Sequence, residues 1–256
     1  MPATDSKKRA VVVVGATGSV GAELCRQLCS AGSSVLAAGR DADRLAALAD
    51  ELDVPTASVD AARPDSIDEA VQAAAEQFGG VAGVANCIGS LLLRPAHSTS
   101  DAQWNETLQT NLGSAFAVVR AAAKLMRNDG GAVALVSSAA AQIGLPSHEA
   151  IAAAKAGVEG LVRSAAATYA SKGIRVNAVA PGLVRSNMTR DIWGSEQAAE
   201  SSLQMHALGR FGEPREIAAA LAWLLDPENN WVTGQVLAVD GGLSSVLPRP
   251  TARPRT

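Results

Sequence analysis

Short runs of β-branched or aliphatic residues alternate along this chain with longer stretches whose apolar positions recur every three or four residues. The short runs are Ala10–Val14, Ser34–Ala37, Pro55–Val59, Val81–Ala85, Ala132–Val136, Ile174–Val179 and Gln235–Val239. The longer stretches, rich in Ala and Leu, are Ala22–Ala31, Asp41–Leu52, Ser66–Phe78, Asp101–Asn128, His148–Ser171 and Pro214–Leu225. A strand that is apolar at successive positions has no face to offer water, so it needs cover on both sides. Such strands alternating with helices predict an α/β fold, a doubly wound parallel sheet of about seven strands in one domain.

Composition adds bounds. The chain has 256 residues, 48% of them hydrophobic and 18% charged, enough for one large core. The expected organisation is an N-terminal extension (1–8), one domain (9–245) and a tail (246–256). The tail's PRPTARPRT stretch is rich in Pro and Arg and is expected to stay out of the core. A net charge of −3 gives no electrostatic reason to expect nucleic acid or an anionic membrane as partner. Lys7-Lys8-Arg9 followed by Val11–Val14 imitates a signal peptide, but the apolar run stops at Gly15, so a buried strand is the better reading. Cys25, Cys29 and Cys87 are odd in number and lack nearby histidines; no metal site is expected, and a reduced, cytoplasmic setting fits.

The first strand runs into Gly15-Ala16-Thr17-Gly18-Ser19-Val20-Gly21 and then directly into a helix. Glycines let the backbone turn tightly and approach a pyrophosphate, while the first N–H groups of the new helix point at the anion. This context predicts dinucleotide binding. The second strand ends near Gly39-Arg40, with no acidic residue to hold a ribose 2′-hydroxyl. Arg40 suits a 2′-phosphate, which favours NADP(H) over NAD(H); the alternative is a solvated arginine opening the next helix.

Further segments carry a family resemblance. Asp60-Ala61 follows the third short run, Asn86-Cys87-Ile88-Gly89 the fourth, and Pro181-Gly182-Leu183-Val184-Arg185-Ser186 the sixth. Leu135-Val136-Ser137-Ser138 precedes Lys155 by the spacing of a Ser…Tyr-x-x-x-Lys site. From about residue 8 to 244 the chain resembles the short-chain dehydrogenases/reductases, which implies a Rossmann-type fold and an NAD(P)-dependent oxidoreductase. The resemblance implies that Asp60 and Ala61 contact adenine, that Asn86 and Gly89 border the cofactor, and that Pro181, Gly182, Val184 and Ser186 meet the nicotinamide. It also implies a homotetramer built from the helices of Asp101 and His148 and the last strand.

In that family a serine orients the substrate oxygen, a tyrosine gives the proton, a lysine holds the ribose and an asparagine anchors a water relay. Ser138, Lys155 and Asn111 match by resemblance. The tyrosine position holds Ile151, and an aliphatic side chain has no proton to give. Tyr169, the only tyrosine, lies eighteen residues further on, about 27 Å along a helix at 1.5 Å per residue. His148 shares a helix face with Ile151 and Lys155 by its i, i+3, i+7 spacing. With Ser147 as N-cap it falls in the first turn, where the dipole favours a neutral imidazole, still able to donate a hydrogen bond. The alternative is an ordinary polar residue at a helix start.

Two readings stay open at this stage. One is an NADP-dependent reductase of a small, apolar carbonyl or enone with a non-standard proton source. The other is an NADP(H)-binding pseudoenzyme acting as sensor or partner subunit. Met188, Trp193, Leu203 and Met205, between Ser186 and Arg210, point to an apolar substrate under a lid or to simple packing of that lid.

Overall fold

The computed structural model describes residues 9–247. The expected extension at 1–8 and the tail from 248 onward lie outside the described residues.

Seven parallel strands form one sheet in the order β3-β2-β1-β4-β5-β6-β7. They are β1 (Ala10–Val14), β2 (Val35–Gly39), β3 (Thr56–Ser58), β4 (Val81–Asn86), β5 (Gly131–Val136), β6 (Ile174–Pro181) and β7 (Val236–Val239). The helices between them are α1 (Ser19–Ser30), α2 (Ala42–Leu52), α3 (Asp65–Phe78), α4 (Asp101–Leu108), α5 (Ser114–Met126), α6 (Glu149–Tyr169), α7 (Arg190–Trp193), α8 (Glu196–Met205) and α9 (Pro214–Leu225). The doubly wound α/β architecture expected from the periodicity is what forms.

β1 shows why its sequence is apolar at every position. Ala10, Val12 and Val14 pack into one layer, with Ile67, Val118 and Val158 from α3, α5 and α6. Val11 and Val13 face the other, with Leu24, Leu45 and Leu221 from α1, α2 and α9. Successive side chains point to opposite faces, so an entirely buried strand has no place for a polar residue. β3, at the sheet's edge, is only partly covered, which fits its Thr and Ser.

The strand order reverses between β1 and β4, so helices depart to opposite faces there and leave a crevice beyond the strands' C-terminal ends. Val14 is in register with Ala38 on one side and Asn86 on the other. The glycine turn, the Gly39-Arg40 step and Asn86-Gly89 therefore emerge side by side.

Two local expectations need correction. The stretch Asp101–Asn128 is not one regular helix: a π-turn over Gln109–Gly113 separates α4 from α5. In this bend and the turn of α4 before it, the Thr107, Thr110 and Gln103 carbonyls accept from the side chains of Asn111, Ser114 and Thr107 at 3.0, 2.6 and 2.8 Å. Those bonds compensate the helix ladder that the extra residue disturbs. Gly157 on α6 makes room for the bend, since a Cβ there would lie 2.8 Å from Leu112. Nor is Ser147 the N-cap of α6. It sits in the left-handed region at φ 61°, and His148 takes the cap position one residue later. Pro146-Ser147 forms a turn just before the helix, with Ser147 at positive φ.

Candidate active site

A cavity of about 540 Å³ opens in the crevice. The start of α1 (Gly18, Ser19, Val20) lines it, and Gly89 lines it beside Asn111 and Lys155, together with Ser138, His148 and Ile151. Pro181, Gly182, Val184 and Ser186 form a further wall. Gly15, Thr17, Gly21, Arg40, Asp60, Ala61 and Asn86 do not line this cavity and belong to the surrounding frame.

The glycine turn is shaped by close approach. Gly15 has φ +85°, and a Cβ on it would lie 2.7 Å from the backbone of Cys87 and Ile88. A Cβ on Gly21 would come within 2.3 Å of the Gly15 carbonyl oxygen. Gly18 caps α1 with no side-chain hydrogen bond, and the first turn holds no acidic residue. Its amides thus face the cavity mouth without a carboxylate or hydroxyl partner, a fit for a pyrophosphate. Thr17 packs under β2, its side chain 2.9 Å from where a Cβ on Gly39 would sit. This geometry fits a dinucleotide, in which the turn and α1 would hold the phosphates and Lys155 the nicotinamide ribose.

Arg40 is exposed at the end of β2. Arg44, which the sequence reading passed over, stands in the first turn of α2 and lines the same mouth as Gly18 and Ser19, with Asp41 beside it at 3.3 Å. Asp60 spends one carboxylate oxygen on the Ala62 amide at 2.9 Å, and the Ala61 carbonyl accepts from Gln109 Nε2 at 2.9 Å. The Asn86 amide is spent inside the protein: it donates to Ser114 Oγ at 3.0 Å and accepts from the Ile88 amide at 3.1 Å. Its work is to shape the chain that leaves β4.

Lys155 Nζ donates to the Val136 carbonyl at 2.8 Å. Burial lowers its pKa to about 8, a shift that the nearby Cys87 thiol partly opposes. Burial pushes the Cys87 thiol itself up to about 12. A Cβ on Gly89 would lie 3.8 Å from Lys155 Nζ and 3.3 Å from Asn111 Oδ1, so this glycine keeps the floor open. Asn111 is buried in the π-turn, with both N–H groups of its side-chain amide engaged. It donates to Ser90 Oγ and the Thr107 carbonyl, both at 3.0 Å, and accepts from the Ser90 amide at 3.2 Å.

Ser138 Oγ accepts from the Ala140 amide at 3.1 Å, which orients the hydroxyl and leaves its proton to give. Next to it, Ser137 Oγ donates to Glu159 Oε1 at 2.9 Å, tying the end of β5 to α6. Ile151 is only 3% exposed. His148 Nδ1 lies 2.7 Å from the Pro146 carbonyl. A carbonyl only accepts, so Nδ1 bears the proton, and a neutral His148 presents Nε2 as a lone pair. The sequence reading had a neutral imidazole donating to substrate; here that N–H is already taken, and donation from Nε2 requires the imidazolium.

Over the cavity lies the segment with α7 and α8. Thr189 Oγ1 donates to the Val184 carbonyl and accepts from the Ser186 amide at 3.2 Å, while Trp193 Nε1 donates to the Ser186 carbonyl at 3.0 Å. His206, which carried no pattern in the sequence, is buried beneath this segment. No helix among the described residues is long and apolar enough to cross a membrane, and no group of three or more potential metal ligands occurs among them.

Residues 15–244 match a family model described as enoyl-(acyl carrier protein) reductase. Galactitol 2-dehydrogenase (L-tagatose-forming) of Cereibacter sphaeroides is 37% identical over 237 residues, covering 90% of this chain and 92% of that protein. A 3-oxoacyl-(acyl-carrier-protein) reductase of Vibrio cholerae is 33% identical over 242 residues, with 92% and 97% covered. Among solved structures, a short-chain type dehydrogenase/reductase from Mycobacterium ulcerans superposes with a TM-score of 0.89 at 29% identity, over 93% of this chain and 90% of that one. An actinorhodin polyketide ketoreductase variant solved with NADPH gives 0.87 at 27% identity, over 94% and 99%. Fold, ordered motifs and relatives agree: the chain belongs to the short-chain dehydrogenases/reductases, a family of NAD(P)-dependent oxidoreductases.

Proposed function

We propose that this protein is an NADP(H)-preferring reductase of a small apolar carbonyl or enone, working without a side-chain phenol. The observation that carries this reading is the single cavity in which Ser138 and Lys155 meet an apolar wall of Leu91, Leu145, Ile151, Ile192 and Met205. A pure nucleotide binder has no use for a hydroxyl oriented into an apolar chamber beyond the ribose site, which weighs against a sensor or pseudoenzyme. Named relatives are dehydrogenases or reductases.

When bound, the nicotinamide supplies the hydride. Ser138 donates to the substrate oxygen and polarises it. Lys155, as ammonium, holds the ribose and adds positive charge near the developing alkoxide. Ile151 offers no acid, and neutral His148 offers a lone pair, so the proton comes from water or from protonated His148. Hydride addition to a C=C bond conjugated to the carbonyl eases this demand, because the carbon is protonated after the hydride arrives. Arg44 at the mouth and Arg40, exposed at the end of β2, favour a 2′-phosphate.

We further propose a homotetramer in a reduced cytoplasmic setting, with no nucleic-acid or membrane partner. Trp104 and Phe116 on α4 and α5, and Trp223 and Leu237 on α9 and β7, are large apolar side chains left exposed on two separate faces.

The test is NADPH consumption with matched pairs of apolar ketones and enones. Enone turnover above ketone turnover, lost in Ser138→Ala by about 10²-fold as for removal of a polarising donor, is the expected result. No turnover of either class would overturn the reading.

A further inference from the structure

We propose that His206 is a positioning residue: its imidazole latches the end of lid helix α8 to the Pro181–Ser186 loop and so sets one wall of the cofactor cavity. The inference rests on the proposed cofactor reading for its consequence, though not for its geometry.

Of the chain's three histidines, His206 alone is fully buried, at 3% exposure. Nδ1 lies 2.7 Å from the Ser202 carbonyl, one turn back in α8. That oxygen can only accept, so Nδ1 carries the proton. Nε2 lies 3.1 Å from the Leu183 amide, which can only donate, so Nε2 is the bare lone pair. The two contacts select one neutral tautomer and use both ring nitrogens. The first contact stays within one helical turn; the second crosses to Leu183, twenty-three residues away.

The neighbours are shaped to admit this ring. A Cβ on Gly182 would fall 2.8 Å from His206 Nε2 and 2.9 Å from Asp240 Cα, so Gly182 is required by close approach. The turn after β7 runs beside the ring: a Cβ on Gly241 would stand 3.6 Å from it. Phe211 meets it edge-on, with centroids 6.3 Å apart, and Arg185 of the loop lies over that same Phe211 at 5.7 Å. His206 therefore joins two segments, the lid and the loop after β6, beside the turn after β7. Gly182, Leu183, Ser202 and His206 all line the cavity, so the latch sets where the loop amides stand relative to a nicotinamide.

Two substitutions in the full chain separate this role from simple packing. Asn places its amide where Nδ1 stands, keeping a donor for Ser202 and losing the acceptor for Leu183. Gln places an oxygen near Nε2, keeping the acceptor for Leu183. Amide hydrogen exchange of residues 183–206 without nucleotide, and NADPH affinity by titration, are then compared. His206→Asn is expected to speed exchange at residues 183–186 and to weaken NADPH binding, each about tenfold as for one unmade buried hydrogen bond. His206→Gln is expected to restore both to near wild type. If His206→Asn does not fold, Gly182→Ala, which pushes the ring off Leu183, is expected to show the same local exchange. Equal effects of Asn and Gln, or unchanged exchange in Gly182→Ala, would overturn the latch. Absence of NADPH binding in the wild type would overturn the cofactor reading instead, while the exchange comparison still decides the latch.

Discussion

Ile151 stands one helical turn before Lys155 on the buried face of α6, and both side chains border the cavity that Ser138 enters from the end of β5. A hydroxyl donor and an ammonium therefore share a chamber whose third position is aliphatic. Ile151→Tyr places a phenol between them. It is expected to raise ketone reduction by about 10²–10⁴, the usual contribution of a positioned general acid. Steady-state kinetics with one apolar ketone checks this. A fall in an existing enone activity instead would mean that Ile151 serves a different chemistry.

Lys155 gives the protein a pH signature. Its pKa is lowered by burial from 10.5 to about 8, so between those values the unfolded chain binds more protons than the folded one. Stability supplied by relief of the buried charge thus grows as pH rises through 8, by up to about 1.4 kcal/mol per pH unit. Burial raises the Cys25 and Cys87 thiols, which works in the opposite sense above pH 9. Comparison with Lys155→Met cancels that contribution. Urea unfolding at pH 7 and pH 9 is expected to show the wild type gaining on the variant; parallel curves would contradict the buried charge.

Gly21→Ala tests the phosphate turn. Its new Cβ would lie 2.3 Å from the Gly15 carbonyl oxygen, against backbone that cannot give way without opening the turn. NADPH affinity is expected to fall by at least about tenfold, with a cost in stability of about 1–3 kcal/mol for overpacking. Unchanged affinity would show that the turn does not touch the nucleotide.

The exposed faces predict assembly. Phe116 on α5 is 54% exposed, and Leu237 on β7 is 41% exposed. Phe116→Glu and Leu237→Glu, each burying a charge in one proposed interface, are expected to convert a tetramer to dimers in light scattering. A monomeric wild type would contradict the proposal.

Much of this was legible from sequence because apolar periodicity and glycine placement act locally. β1 is apolar at all five positions since both its faces are covered, and that pattern needs no knowledge of what covers it. The π-turn was not legible: its residues look helical, and only the fit of Leu112 against Gly157 and the side-chain bonds of Asn111 and Ser114 reveal it. Ser147 read as an N-cap by residue type, but the turn entering α6 fixes its backbone at positive φ. Arg44 was passed over and His206 showed no pattern because their roles depend on Gly18, Ser19 and Leu183, far away in sequence.

Calorimetric titration of the purified protein with NADPH, then NADH, then NADPH again on Arg40→Ala, tests the central claim most directly. Micromolar NADPH binding is expected, weaker by about tenfold both for NADH and for Arg40→Ala, as for loss of a charge-assisted contact to a 2′-phosphate. Binding of neither nucleotide would mean that the glycine turn is structural and that the oxidoreductase reading of this site is wrong.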